Sequence, residues 1–327
     1  MQNINWGMIG CGDVTELKSG PAFNKVPHSK LIAVMRRDAA KAKDYADRHG
    51  VPKWYHEAPS LIADPEINAV YIATPPSFHL AYAIAALKAG KFVYVEKPVT
   101  TDLSSAIELN EWVEKLRGKL VIAHYRRQQP QFKKIKELID EKAIGDIKLI
   151  GLKFFRKNIK PAQLDISKYA WRVDPLISGG GLFHDIAPHQ LDLMYHYFGE
   201  IKEANGFAVN RNSLYAADDQ VAGQILFENK ILFTGNWCFD IADNEPEDSC
   251  EIIGDKGRIQ FSFFDKQDVK LITNKTEEIF PFEKLLHAQQ PMIEKVVNYF
   301  LDKDDNPCPV EEGVKVMEII EKFTAKK

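Results

Sequence analysis

Phe92-Val93-Tyr94-Val95-Glu96-Lys97-Pro98 carries an apolar run and, straight after it, a charged turn. β-Branched and aromatic side chains favour a strand. An unbroken apolar run of this length predicts a strand buried on both faces, as in a parallel sheet. In open α/β sheets ligands bind beyond the carboxyl ends of the strands. A lysine in that place, with the chain direction fixed by Pro98, is a candidate catalytic group. Glu-Lys-Pro alone would suit any strand running out into solvent, so its meaning depends on what surrounds it.

Upstream, Ile4 to Ile9 reads as a short apolar strand, followed by Gly10-Cys11-Gly12-Asp13-Val14-Thr15. Two glycines at this spacing let the backbone turn tightly and approach a pyrophosphate at a helix N-terminus. Thr15 stands where the third glycine of the fingerprint belongs. The context is that of a nucleotide-binding unit all the same, with a helix expected over Thr15 to Phe23 and a second strand over Leu31 to Met35. An NAD enzyme usually places an acid after that strand. Here Arg36 and Arg37 come first, and Asp38 reads as the N-cap of a helix over Ala39 to Arg48. Two arginines suit a 2′-phosphate, so NADP is the expected cofactor, with NAD the other option.

The alternation continues. Ala69 to Ala73 reads as a buried strand closed by Thr74-Pro75-Pro76, with Ser77 as N-cap of an alanine-rich helix that Gly90 stops. After the Phe92 strand come a helix over Leu103 to Leu116 and a strand over Leu120 to Ala123. Alternating strand and helix predict a doubly wound parallel sheet over residues 1–120.

From residue 121 the pattern changes. A helix over Gln131 to Glu141 precedes strand-like runs near 147–155, 201–209, 220–227, 231–239, 250–253, 258–264 and 269–273, joined by hairpin-length turns. These predict a mainly antiparallel open sheet in a second α+β domain, 121–327, with further helices over Leu285 to Leu301 and Glu311 to Phe323. One sheet face should carry the helices. The other is expected to hold aromatics from Phe227, Phe233, Trp237, Phe239, Phe261 and Phe263 and to support a homodimer or homotetramer.

Within this part, Gly179-Gly180-Gly181 leads into Leu182-Phe183-His184-Asp185-Ile186-Ala187-Pro188-His189-Gln190-Leu191-Asp192. Pro188 is tolerated only near a helix start, which sets the N-terminus close to the glycines. At 100° per residue Asp185, His189, Asp192 and His196 fall within about 60° of one another. Leu191, Met194, Tyr195 and Phe198 form a separate apolar face. Three readings fit the acid/imidazole stripe: a solvated polar face, which most such helices have; a metal site; or an Asp–His pair set up for proton transfer. No cysteine joins it and its i,i+4 pairs are Asp/His, so no metal is expected.

The chain has 327 residues, 45% of them hydrophobic and 27% charged, enough for two domains. A net charge of −3 gives no electrostatic case for nucleic acid or an anionic membrane. The four cysteines are scattered, and no apolar run reaches the ~18–20 residues that span a bilayer, so the expectation is cytoplasmic.

Taken together these stretches resemble the glucose–fructose oxidoreductase/inositol dehydrogenase (Gfo/Idh/MocA) family. The motifs are Gly10-Cys11-Gly12, Thr74-Pro75-Pro76 with His79, Ala89-Gly90-Lys91 leading to Glu96-Lys97-Pro98, Tyr125-Arg126-Arg127, Trp171-Arg172, and the triple glycine through Asp192. The resemblance implies a Rossmann domain, a C-terminal domain with a large open sheet, and hydride transfer at a sugar or cyclic polyol carbon. It implies cofactor contacts from Gly10, Gly12, Asp13, Val14, Thr74, Pro75, His79, Glu96 and Lys97; Arg36 and Arg37 join them from the reading above, and Thr15 and Arg36 depart from the NAD-type pattern of the family. It further implies that Lys97, Asp185 and His189 act on the substrate, with the sheet face used for oligomerisation. Tyr125, Arg126, Trp171 and Arg172 suit a sugar ring and its hydroxyls, and His184 is open between substrate contact and packing. A non-catalytic NAD(P)-binding sensor of the same fold is the alternative, and a glycosidase working by oxidation and elimination a third.

Overall fold

The computed structural model describes residues 2–159 and 167–325, in two compact units. One is Met1–Arg126 with Leu285–Val314; the other is Arg127–Lys284 with Lys315–Lys327. The segment from Leu285 therefore belongs with the first unit, a return that a linear division at 120/121 leaves out. Hydrogen bonding and burial account for it. The short helix α1 (Asp13–Leu17) ends with carbonyls that need donors, and His287 Nδ1 lies 2.6 Å from Leu17 O while Gln289 N donates to Lys18 O at 3.1 Å. Phe300 packs on Trp6 and Phe92, with ring centroids 5.7 and 4.9 Å away. Ile122 N donates to Cys308 O at 3.0 Å, extending the sheet edge with chain from far away in sequence.

In the first unit six parallel strands, β1 (Ile4–Ile9), β2 (Ser29–Met35), β3 (Lys53–Tyr55), β4 (Ala69–Ile72), β5 (Phe92–Val95) and β6 (Leu120–Ile122), lie in the order β3-β2-β1-β4-β5-β6. The order reverses between β1 and β4, which makes the crevice there the expected ligand site. Register lines up the strand ends. Met35 pairs with Ile9, Ile9 with Ile72, Ile72 with Val95, and Val95 with Ile122. Gly10, Arg36, Ala73-Thr74, Glu96-Lys97 and Ala123 thus leave the sheet along one edge.

Two local expectations need correction. The helix expected over Thr15 to Phe23 stops at Leu17, and Gly20–Asn24 forms a 3₁₀ turn. Pro21 has no N–H to continue an α-helix and restricts Gly20 before it. Ser77 does not cap the alanine-rich helix. Pro76–Phe78 forms its own 3₁₀ turn, and the helix (His79–Lys88) starts after it with no side-chain cap. Asp38 does cap its helix (Ala39–His49), accepting from Lys41 N at 3.1 Å.

The second unit is built on eight strands: β7 (Ile147–Lys157), β8 (Ile201–Val209), β9 (Gln220–Phe227), β10 (Leu232–Ile241), β11 (Glu247–Gly254), β12 (Gly257–Phe261), β13 (Val269–Thr273) and β14 (Glu277–Phe280). Their order is β14-β13-β12-β11-β7-β10-β9-β8, antiparallel except for β7 with β10. One face is covered by the helices Pro130–Asp140 and Leu182–Phe198 and by the end of Val310–Thr324. Phe132 packs on Phe261 and Phe263, Phe183 and Phe323 on Trp237, and Phe198 on Phe227. All six aromatics expected on the open face are therefore buried under helices. Strand alternation sets which parity points where, and burying a large ring is worth about 1.5–3 kcal/mol, so the aromatic parity takes the covered side.

Candidate active site

In the first unit the candidate residues come off the carboxyl edge of the parallel sheet. Gly10 has φ +97, and a Cβ there would stand 2.8 Å from the Ala73 carbonyl carbon, so only glycine lets β1 turn this close to β4. A Cβ on Gly12 would meet nothing within 4 Å. The turn is thus closed beneath and open above, the shape a pyrophosphate needs. Asp13 and Val14 open the helix that follows. Thr15 is buried, and its Oγ1 donates to Gly12 O at 2.8 Å, so the residue in the third glycine's place ties the turn to its own helix.

Arg36 Nη1 donates to Cys11 O at 3.1 Å, fixing one guanidinium beside the glycine turn, and the Arg37 guanidinium lies 5.1 Å from the Phe78 ring centre. Burial pushes the Cys11 thiol up to about 11, so it stays protonated at neutral pH. Asp38 is spent on its helix cap, and the lysine beside it, with the cap bond ahead of it, holds its carboxyl below the usual range.

From Val93 to Thr100 every residue is buried except Lys97, which is partly exposed. Its neighbours are held from below. Glu96 Oε1 accepts from Tyr71 OH at 2.6 Å and from Gln289 Nε2 at 2.5 Å, and Tyr94 OH donates to Gln289 Oε1 at 3.0 Å. The Glu96 carboxylate therefore points into the first unit. Thr74 and Pro75 are partly exposed at the end of β4, and Thr74 Oγ1 is buried with no hydrogen-bond partner. His79 is fully buried, with Nε2 2.8 Å from Thr74 O and Nδ1 2.9 Å from Pro98 O. Tyr125 and Arg126 follow β6, both buried, with the guanidinium 5.7 Å from the Tyr125 ring centre.

In the second unit the candidate residues lie on the helix Leu182–Phe198. Gly179 and Gly181 have φ +92 and +85, and a Cβ on Gly180 would stand 2.1 Å from the His184 ring. The triple glycine is thus needed for its turn and for the imidazole packed on it. The acid/imidazole stripe is not a solvated face. His189 and Asp192 are buried, and Asp185 and His196 partly so. Asp185 Oδ2 accepts from Arg172 Nε at 3.0 Å, and the Arg172 guanidinium also lies 4.3 Å from the Trp171 ring centre. The His189 ring meets Phe264 edge-on at 5.9 Å. His184 sits against Phe183, and burial takes its pKa down to about 4. Among the described residues no group of His, Cys, Asp or Glu could hold a metal ion, and no helix is long and apolar enough to cross a membrane.

Reading the chain alone does not reveal three supports. Asp192 is paired with Arg127, whose Nε donates to both carboxylate oxygens at 2.9 and 3.1 Å; Tyr125-Arg126-Arg127 is visible as a motif, but the pairing across 65 positions is not. Gln289 reaches Glu96 across 193 positions with no sequence signal. Asp248 accepts from Phe263 N, Phe264 N and Asp265 N at 3.1, 2.6 and 3.0 Å, fixing the turn that carries Phe264 to His189.

Residues 4–124 match the family described as "Oxidoreductase family, NAD-binding Rossmann fold", and residues 132–260 match the "GFO/IDH/MocA C-terminal domain". Over 322 residues, 98% of each chain, the sequence is 47% identical to "Oxidoreductase P35" of Formosa agariphila. It is 27% identical over 281 residues to trans-1,2-dihydrobenzene-1,2-diol dehydrogenase of Oryctolagus cuniculus, covering 85% of this chain and 80% of that one. The solved structure of levoglucosan dehydrogenase with NADH and levoglucosan has the same fold, with a TM-score of 0.87 at 22% identity over 98% of this chain and 96% of the other.

Proposed function

The chain belongs to the Gfo/Idh/MocA family of NAD(P)-dependent oxidoreductases, and from that premise we propose that it transfers a hydride between NADP and a ring carbon of a sugar or cyclic polyol. The carrying observation is the single sheet edge from which Gly10, Arg36, Thr74 and Lys97 all emerge. The substrate class is supported by the name of one relative, trans-1,2-dihydrobenzene-1,2-diol dehydrogenase, and the fold is shared with levoglucosan dehydrogenase.

Gly10, Gly12, Asp13 and Val14 would hold the pyrophosphate, and the nicotinamide when bound supplies the hydride acceptor or donor. Arg36 and Arg37 would take the 2′-phosphate. Their support is that Asp38, the acid an NAD enzyme would turn to the ribose, is already used as a helix cap. Thr74 and Pro75 line the same edge. Glu96 serves as an anchor for the turn that bears Lys97 and not as a cofactor contact, because its carboxylate faces Tyr71 and Gln289.

Oxidising a hydroxyl releases a proton and reducing a carbonyl consumes one, so an acid/base group must reach that oxygen. The reading gives this task to His189 and Lys97. Asp185, which accepts from Arg172, would orient the imidazole and stabilise its charged form. Tyr125, Arg126, Trp171 and Arg172 would contact the ring and its hydroxyls, whereas His184, packed on Gly180, serves the helix start.

A homodimer or homotetramer through the open face of the second sheet belongs to the same reading. Register sets Leu226 beside Leu232, Leu232 beside Leu149 and Leu149 beside Ile253, an apolar row across four strands. Leu149 and Leu232, 44% and 43% exposed, set two neighbouring apolar side chains of that row against water, which supports a partner there.

The test is a screen of levoglucosan, glucose and myo-inositol with NADP and with NAD, followed at the nicotinamide absorbance. Turnover of at least one of them, faster with NADP, is expected. Binding of either cofactor with no reduction by any sugar or polyol would overturn the proposal in favour of a cofactor-binding sensor.

A further inference from the structure

His79 opens its helix with an imidazole that has no exposure to solvent. Its two nitrogens face two backbone carbonyls, Thr74 O at 2.8 Å and Pro98 O at 2.9 Å, both ordinary hydrogen-bond distances. Thr74 follows β4 and Pro98 follows β5, so the ring bridges the exits of two neighbouring strands. Lys97 is the residue immediately before one of those carbonyls. On its other side Glu96 is pinned by Tyr71 and Gln289. The lysine is therefore the one partly exposed residue between two anchored neighbours.

We infer that His79 is a positioning residue for Lys97, its imidazole bracing Pro98 against the end of β4 so that the lysine leaves the sheet edge at a fixed place and angle. This rests on the reading of Lys97 as a proton-handling group. It also replaces the expected cofactor contact of His79, since both ring nitrogens are engaged within the protein. A neutral imidazole has one N–H, whereas the two carbonyls are both acceptors. The doubly bonded ring is satisfied in full only when protonated. Burial opposes that charge, while the Thr74 and Pro98 carbonyls, the nearby Glu96 carboxylate and the Val99 backbone favour it.

The experiment compares His79→Phe, which fills the space without bonds, with His79→Gln, which keeps one donor, and with Lys97→Met. NADPH affinity is measured by fluorescence titration. Lys97 is observed by NMR after reductive ¹³C-methylation, its signal assigned with Lys97→Arg. The expected result is a displaced or broadened Lys97 resonance in His79→Phe, partly restored in His79→Gln, with NADPH affinity unchanged. Turnover of the sugar or polyol found in the screen should fall by about 10²-fold in His79→Phe, the cost of misplacing a reacting group by roughly an ångström. An unaltered Lys97 resonance, or weakened NADPH binding with normal turnover at saturation, would overturn the inference. If His79→Phe fails to fold, His79→Gln against wild type decides by the same two readouts. Full turnover in Lys97→Met would instead remove the reading of Lys97, and the resonance would still report whether His79 places it.

Discussion

At the residue scale, the proposed function gives Lys97 and His189 one proton, with Asp185 as the orienting acid. Lys97→Met and His189→Ala should each lower kcat by roughly 10²–10⁴-fold, the usual share of general acid–base catalysis. The double variant should lose much less than the product of the two, since groups that act as a unit are not additive. Multiplicative losses would give the two residues separate tasks, and turnover near wild type in either single variant would exclude that residue from the chemical step. Cofactor choice is decided at the same scale. Replacing Arg36 and Arg37 with alanine should weaken NADP far more than NAD, because charge-assisted phosphate bonds are the strong ones. Equal losses by calorimetry would sink the assignment. Because Arg36 also holds Cys11 O, a modest loss of NAD affinity is expected as well.

At the element scale, the helix Leu182–Phe198 was legible from Gly181 to Phe198, and its acid/imidazole stripe too, but not the burial of that stripe. Periodicity reports which residues share a face, and it does not report what covers the face. Asp192 and Arg127, only 1% and 2% exposed as side chains, are stable there because they are paired. Asp192→Ala should cost about 3–5 kcal/mol in urea unfolding, since it strands a buried guanidinium. A loss below about 1 kcal/mol, as for an exposed pair, would mean that Arg127 finds another partner. His184 supplies a pH test on the same helix. Its folded pKa near 4 lies below the ordinary histidine value of 6.5, so the unfolded chain binds the extra proton first. Stability should therefore fall as pH drops from about 6.5 to about 4 and level off below, by at most about 3 kcal/mol from this group. His184→Phe should flatten that stretch of the pH profile of thermal melting, and an unchanged slope would assign the acid sensitivity elsewhere.

At the scale of the whole molecule, the proposed partner surface is the apolar row on the helix-free face of the eight-stranded sheet. Light scattering at micromolar concentration should give two or four times the monomer mass, and Leu149→Lys with Leu232→Lys should reduce it. A monomer mass for the wild type would remove the proposed oligomer. The aromatics first expected to drive assembly are under helices, so their role is to join the sheet to Pro130–Asp140 and Leu182–Phe198.

The alternation of apolar runs with helical segments by itself determined the parallel sheet, because a strand buried on both faces has no other simple reading. The glycine turn, the arginines after β2, the Asp38 cap and the lysine beyond β5 were legible for the same reason: each follows from chemistry within a few residues. Only the tertiary structure decided which sheet face the helices cover, that residues 285–314 return to the first unit, and that Glu96, His79 and Asp192 are anchored inside. Those outcomes depend on pairings across up to 270 positions or on the choice between two strand parities. Local propensity is silent on such choices, and the burial of rings and the satisfaction of buried polar groups settle them.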